Sequence, residues 1–157
     1  MNAVLHTTHG DITIEFCSTD AQNAVTNFVK LAKAGFYDGT KFHRVIHGFM
    51  IQGGNPLTKD DAQMARWGTG DPGYKFDDEL YESNHNVVGT IAMANSGPNT
   101  NGSQFFINTA DNNFLDSKHT VFGRVSAGMN VVSAIQSTPV GPSDRPLEPV
   151  IIERVSP

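Results

Sequence analysis

The sequence is poor in three features that would each have pointed to a definite functional class. Cys17 is the only cysteine, so an internal disulfide and a cysteine-rich metal site are both excluded. Basic runs are missing, and the formal net charge of -5 does not provide the positive surface that nucleic-acid binding needs. No apolar run approaches the ~18 residues that cross a membrane, and the first residues lack the pattern of a signal peptide. We therefore expect no nucleic-acid partner, no membrane association and, by default, a cytoplasmic location.

The chain has 157 residues, which is enough for one hydrophobic core, and we predict a single domain over residues 1–157. Cys17 follows a predicted strand and has no base nearby in the sequence, so we expect a small buried residue rather than a reactive thiol. His43 and His47 are four residues apart, but a turn separates them, so their spacing gives no defined metal geometry. We expect a monomer that needs no metal and no other cofactor.

Hydrophobic periodicity predicts two helices. Residues 20–34 carry apolar side chains at helical spacing, with N-cap candidates from Ser18 to Asp20 and a stop at Gly35. Residues 128–136 repeat this spacing over a shorter length. The apolar face of the first helix is narrow and its other face is polar, which predicts that it covers one end of a barrel.

Strand patterns fill most of the remaining chain. Apolar and polar residues alternate through Ile12, Ile14 and Phe16, which predicts a hairpin with residues 4–8 across a turn. The strands are too evenly spread for parallel β-α-β units, whereas residues 55–74 read as one long loop. We therefore predict a mainly β protein, a closed eight-stranded antiparallel β-barrel capped by two α-helices. Its other strands are predicted within 42–54 and at 87–93, 104–109, 120–125 and 149–155.

Residues 42–54, with the sequence F-H-R-V-I-H-G-F-M-I-Q-G-G, combine strand patterns with unusual polar groups. Side chains alternate along a strand, so Met50 and Gln52 share one face while Ile51 points the other way. Arg44 lies upstream within reach of the same face. A guanidinium and an amide are costly in a core, but they suit a groove that receives a peptide.

Two further stretches complete the pattern. In M-A-N-S-G-P-N-T-N-G-S-Q-F-F-I, residues 93–107, a loop rich in Gly, Pro and Asn leads into a strand. Gln104 and Phe106 share one face of this strand, while Phe105 and Ile107 take the other. The third stretch, F-L-D-S-K-H-T-V-F-G, covers residues 114–123.

Together the three motifs resemble the cyclophilin family, and the resemblance covers essentially the whole chain. It implies the same barrel fold and a peptidyl-prolyl cis–trans isomerase that rotates X-Pro bonds and so assists protein folding. The implied partners are proline-containing peptides and unfolded protein chains. The catalytic positions carried over are Arg44, Phe49, Gln52, Asn95, Phe106 and His119, and the substrate-binding positions are Met50, Gly68, Ala94, Ser96, Gln104, Phe114 and Leu115.

Prolyl isomerisation needs neither a nucleophile nor a metal, because twisting the imide bond only localises a lone pair on the proline nitrogen. A donor that meets this lone pair stabilises the twisted state alone, and Arg44 is the expected donor. Gln52 is expected to orient the guanidinium, and Asn95 to pair with the substrate through its own main chain. His119 could serve as a general base, but a pocket wall that hydrogen-bonds to the substrate fits the reaction better. The expected pocket for the proline ring is formed by Phe49, Met50, Phe106 and Leu115.

Two positions depart from the family pattern. Ser96 replaces a residue that is often alanine in the family, a small change at the floor of the groove. Phe114 stands where the members most sensitive to cyclosporin carry tryptophan. The resemblance therefore implies ordinary isomerase activity with reduced affinity for cyclosporin.

The sequence is also compatible with two other functions. The chain could be a binding module that holds a proline-containing partner without turnover, or a subunit of a larger RNA–protein assembly. Retention of Arg44, Gln52, Phe106 and His119 together favours the enzyme, because a module that only binds has no need of the donor.

Overall fold

The computed structural model describes residues 1–157, and one eight-stranded antiparallel sheet forms most of it. The strands follow the spatial order β3-β4-β6-β5-β7-β2-β1-β8. Four short 3-10 helices lie in the connections, at Pro56–Lys59, Asp61–Arg66, Asn113–Leu115 and Pro142–Asp144. The strands are β1 (Asn2–Thr7), β2 (Gly10–Phe16), β3 (Arg44–Ile46), β4 (Met50–Gly53), β5 (Thr90–Met93), β6 (Phe105–Asn108), β7 (Val121–Ala127) and β8 (Ile152–Ser156), and the helices are α1 (Gln22–Lys33) and α2 (Met129–Gln136).

The prediction of a mainly β fold with eight antiparallel strands and two helices is confirmed, but the predicted closure is wrong. The outermost strands, β3 and β8, form no ladder with each other. They are joined through the residues that precede β3. Lys41 and Ile151 form an isolated bridge, and Phe42 N–H donates to Val150 O. Ile152 of β8 accepts from Gly39 N–H and donates to Thr40 O. The three-residue β3 is too short to continue this pairing, so the sheet stays open at this seam.

The main core lies between α1 and one face of the sheet. Phe28 of α1 is fully buried, and its ring lies 5.4–5.7 Å from the rings of Phe16, Phe105 and Phe122. Burying one such side chain stabilises the fold by roughly 1.5–3 kcal/mol. The second helix packs Val132 and Ile135 into the same core. One face of the sheet therefore packs against α1 and α2, and the opposite face is available for a site.

The start of α1 differs from its prediction. Ser18 to Asp20 do not cap the helix: its N-cap is Ala21, which has no side chain able to accept a hydrogen bond. The carboxylate of Glu79 accepts instead, from the N–H groups of Asn23 (3.1 Å) and Ala24 (2.9 Å). A cap supplied from more than fifty residues away leaves no local sequence signal. The predicted stop is confirmed, since Gly35 follows the helix with φ +72°.

Three other local predictions need correction or refinement. The strand expected at 87–93 begins only at Thr90, and the long loop at 55–74 contains two of the 3-10 helices. Cys17 is half-buried rather than buried, and burial raises the pKa of its thiol. Neither helix has the length and apolar character that crossing a membrane would require.

Candidate active site

A row of paired residues crosses four strands on the face opposite α1. Arg44 is paired with Gln52, Gln52 with Phe106, and Phe106 with Ala92. Residues paired across antiparallel strands project to the same face. The guanidinium, the amide and the aromatic ring therefore share one face, as the alternation in the sequence predicted. The opposite face carries Ile51, Phe105 and Ile107, which belong to the main core.

An apolar depression adjoins this row. Its floor is a small cluster of buried side chains, separate from the main core, and partly buried apolar residues pack around it. All four residues predicted to hold a proline ring are present. Ile46, Ala92 and Val121 were missed, although Ile46 lies two residues after Arg44 and therefore on its face. The floor consists of Met50, Ala92, Phe106 and Val121, and the sides consist of Ile46, Phe49, Ala94 and Leu115.

A relay of amide groups positions the guanidinium. Arg44 Nη1 donates to Gln52 Oε1 at 3.4 Å, and Gln52 Nε2 donates to Gln104 Oε1 at 3.1 Å. Gln104 Nε2 in turn donates to the carbonyl oxygens of Gly68 (2.9 Å) and Gly70 (3.1 Å). Arg44 itself is exposed and makes no ion pair. The relay orients a free positive charge beside the depression and ties the long loop to the same amides.

His119 forms part of the wall beside Phe106. The two rings meet edge to face, with centroids 5.3 Å apart at 85°. His119 Nδ1 lies 2.9 Å from Met93 O, and a carbonyl can only accept, so Nδ1 carries the proton and Nε2 is the nitrogen left free. The ring can therefore form a wall of the site and offer Nε2 to a substrate. This is the role expected from the sequence.

Asn95 has a fixed side chain and a free main chain. Its Nδ2 donates to Lys118 O at 2.8 Å, and its Oδ1 accepts from the N–H of Gly97 at 3.2 Å. Neither its own N–H nor its C=O makes a hydrogen bond within the chain, although the preceding Ala94 N–H donates to Gln104 O. The unpaired backbone of Asn95 can therefore pair with an extended peptide.

A polar side cavity of about 360 Å³ lies next to the apolar depression. Ala94 borders both, so the two adjoin at this residue. Lys75 and Asp71 bring a charge of each sign to the cavity. Neither was predicted, because both lie in an irregular loop without a periodic pattern. The predicted residues that line it are Gln52, Gly68, Ala94, Asn95, Ser96 and Gln104.

Phe114 stands at the rim of the depression. It is 70% exposed, and its ring stacks on Phe49 at 6.0 Å with an interplanar angle of 20°. The following residue, Leu115, turns inward and packs against the floor. The short 3-10 helix Asn113–Leu115 thus presents one apolar side chain outward and one inward.

His43, the residue before Arg44, is buried. Burial is the main cause that lowers the pKa of His43 to about 4, and the charges of Arg145 and Arg44 lower it further. Its Nδ1 has no hydrogen-bond partner. His47, by contrast, is exposed on the β3–β4 turn, so the two histidines do not share a site.

The fold and the site define a mainly β protein with an apolar depression and an adjoining polar cavity on the sheet face opposite α1. The family described as cyclophilin type peptidyl-prolyl cis-trans isomerase/CLD matches residues 3–156. Peptidyl-prolyl cis-trans isomerase CYP18-1 of Arabidopsis thaliana is 45% identical over 99% of this chain and 95% of its own length. Peptidyl-prolyl cis-trans isomerase 9 of Schizosaccharomyces pombe is 46% identical, and this chain spans 25% of its length.

Among solved structures, a Cryptosporidium parvum cyclophilin type peptidyl-prolyl cis-trans isomerase is similar with a TM-score of 0.90 and 31% identity. The match covers 99% of this chain and 98% of that one, whose crystal structure was determined in the presence of the dipeptide Ala-Pro. The chain therefore belongs to the cyclophilin-type peptidyl-prolyl cis-trans isomerases. The family and the class of enzyme predicted from the three motifs are confirmed.

Proposed function

We propose that this chain isomerises X-Pro bonds with the proline ring in the apolar depression and Arg44 as the donor. The observation that carries the proposal is the pairing of Arg44 with Gln52 and of Gln52 with Phe106 across adjacent strands. It sets a guanidinium, held by an amide, beside a buried aromatic floor. The other predicted site residues fit around this row as walls, rim and side cavity.

The chemistry follows from the bond that must rotate. Resonance sets a barrier of roughly 18–20 kcal/mol, and it is lost when the imide twists. The twisted nitrogen then carries a lone pair that Arg44 can meet with an N–H, whereas the planar states offer no such acceptor. Since Gln52 is neutral, it orients the guanidinium without competing for its charge. The interaction therefore favours the transition state over both ground states.

The substrates we propose are proline-containing peptides and unfolded protein chains. The free N–H and C=O of Asn95 would pair with the backbone of an extended substrate that runs along the groove. The dipeptide present with the Cryptosporidium structure, Ala-Pro, is itself a proline-containing peptide. We further propose that residues 1–157 act as one monomeric domain without a cofactor. Cyclosporin would bind the same groove with reduced affinity.

The experiment is an isomerisation assay on a short X-Pro peptide, followed by exchange NMR so that no coupling protease is needed. We expect the chain to accelerate cis–trans exchange at substoichiometric concentration. Chemical-shift changes in the protein on titration, without faster exchange in the peptide, would mean that the chain is a binding module and not a catalyst.

A further inference from the structure

Four buried asparagines form a connected group beside the apolar depression. Asn108 is two residues after Phe106 on β6 and shares its face, yet its side chain is fully covered by the segment that follows. Buried side-chain amides are normally hydrogen-bonded, so their partners show which segments the group connects. We call this group the asparagine network: Asn84, Asn86, Asn108 and Asn112, which are 3%, 0%, 0% and 4% exposed.

One end of the network holds Phe49. Asn112 Nδ2 donates to Phe49 O and to Asn108 Oδ1, both at 2.9 Å, so both of its amide protons are used. The N–H of Asn112 donates to Asn86 O at 2.7 Å. Asn108 Nδ2 continues the chain to Asn86 Oδ1 (3.1 Å) and Thr90 Oγ1 (2.9 Å). The backbone of Phe49 is thereby fixed relative to β5 and β6.

The other end holds the turn that carries Leu115 and His119. The N–H of Asn86 donates to Asp116 Oδ1 at 2.6 Å. Asn84 Nδ2 donates to Asp116 O (2.7 Å) and to His119 O (3.0 Å), and Asn84 Oδ1 accepts from the N–H of Val121 at 2.8 Å. Burial alone would raise the pKa of Asp116, but hydrogen bonds led by the one from Asn86 N–H lower it, so this acceptor stays ionised.

We propose that the asparagine network is a positioning device that sets the spacing between Phe49 and the Leu115–His119 turn, the two sides of the apolar depression. None of its members lines the apolar depression or the side cavity, whereas its outermost hydrogen bonds end on Phe49 and His119. The proposal rests on the proposed function, because the spacing matters only if a proline ring enters between these sides. A network of this kind acts on substrate affinity and leaves the Arg44 donor in place.

The test is Asn112→Leu, which keeps the approximate shape of the side chain but removes both donors at every pH. Phe49 O and Asn108 Oδ1 then lose the donor at Asn112, so the Phe49 side moves away. We expect KM for a proline peptide at pH 7.5 to rise about tenfold, with kcat within about threefold of wild type, when measured by exchange NMR.

The matched control is Thr7→Ala. Thr7 is also buried, and its Oγ1 donates to Gly10 O at 2.7 Å, but it lies on β1, which β7 and β2 separate from β5. The Thr7→Ala variant should be less stable than the wild type, and its KM should not change. If Asn112→Leu fails to fold, Asn112→Ser, which keeps one donor, should give a smaller rise in KM.

The outcomes separate the two proposals. A wild-type chain that does not accelerate exchange overturns the proposed function. A wild-type chain that does, together with an unchanged KM in folded Asn112→Leu or an equal rise in Thr7→Ala, overturns the positioning role alone.

Discussion

Arg44 and Gln52 face each other across the β3–β4 pair, and the guanidinium donates to the amide oxygen at 3.4 Å. A long hydrogen bond to a neutral acceptor fixes the direction of the guanidinium and leaves its charge uncompensated. A carboxylate at the same place would have formed an ion pair and competed with the substrate nitrogen. The pair is therefore suited to present a positive donor rather than to stabilise the sheet.

Replacing Arg44 by alanine should lower kcat/KM by about two to three orders of magnitude, the usual effect of removing a transition-state donor. Because Arg44 is exposed, the fold should be unaffected, which circular dichroism and thermal unfolding can check. Arg44→Lys should also be poor, since an ammonium lacks the planar fork that Gln52 orients. Wild-type turnover in folded Arg44→Ala would contradict the mechanism.

Gln52→Ala should lower kcat about tenfold, because the guanidinium loses its orientation but keeps its charge. A double-mutant cycle gives the sharper measurement: in the Arg44→Ala background, the same change should have little further effect. Additive losses would show that Gln52 acts on the substrate independently of Arg44.

Glu79→Ala should destabilise the protein by about 1–2 kcal/mol, since two N–H groups at the start of α1 lose their acceptor. Isomerase activity should not change, because α1 packs on the opposite face of the sheet. Urea unfolding measures the loss. Glu82→Ala is the control, as this nearby carboxylate is exposed and makes no hydrogen bond; an equal loss in both would rule out the cap.

Stability should fall between pH 6.5 and pH 4 because of His43. Its pKa is lowered from 6.5 to about 4 in the folded state, so in this window the unfolded chain binds a proton that the folded chain does not. The contribution is fully present above pH 6.5 and amounts to about 3 kcal/mol lost by pH 4. His43→Phe should remove this part of the slope. Parallel pH profiles of the two proteins would mean that His43 titrates normally.

Phe114→Trp should bind cyclosporin more tightly than the wild type, with little change in peptide turnover. The ring of Phe114 is largely exposed and stacks on Phe49, so an indole could keep this contact and add an N–H donor at the rim. One such hydrogen bond contributes on the order of 1 kcal/mol. Titrating both proteins with the drug while following activity gives the comparison, and equal inhibition constants would place Phe114 away from the ligand.

Periodicity in the sequence predicted the features of the fold that depend on neighbouring residues alone. Alternation of side chains placed Gln52 and Phe106 on one face and Phe105 on the other, and the register of β4 and β6 agrees. The role of Glu79 at α1 and the opening between β3 and β8 depend on contacts between distant segments. They could not be read from periodicity.

The site shows the same division. The motif residues came together, but Asp71 and Lys75 of the side cavity lie in a loop without a pattern. The asparagine network was also missed, because an asparagine in a loop normally indicates a turn. Its burial depends on how the segment after β6 folds back over the sheet.

The open seam between β3 and β8 affects how the site moves. β3 is the shortest strand and pairs with β4 alone, whereas β6 lies between β4 and β5 and carries the floor of the depression. Amide hydrogens of β3 should therefore exchange with solvent through local opening at low cost, and those of β6 only through much larger unfolding. Arg44 therefore lies on the strand that should open most readily. The floor under the proline ring lies on the strand that should open least.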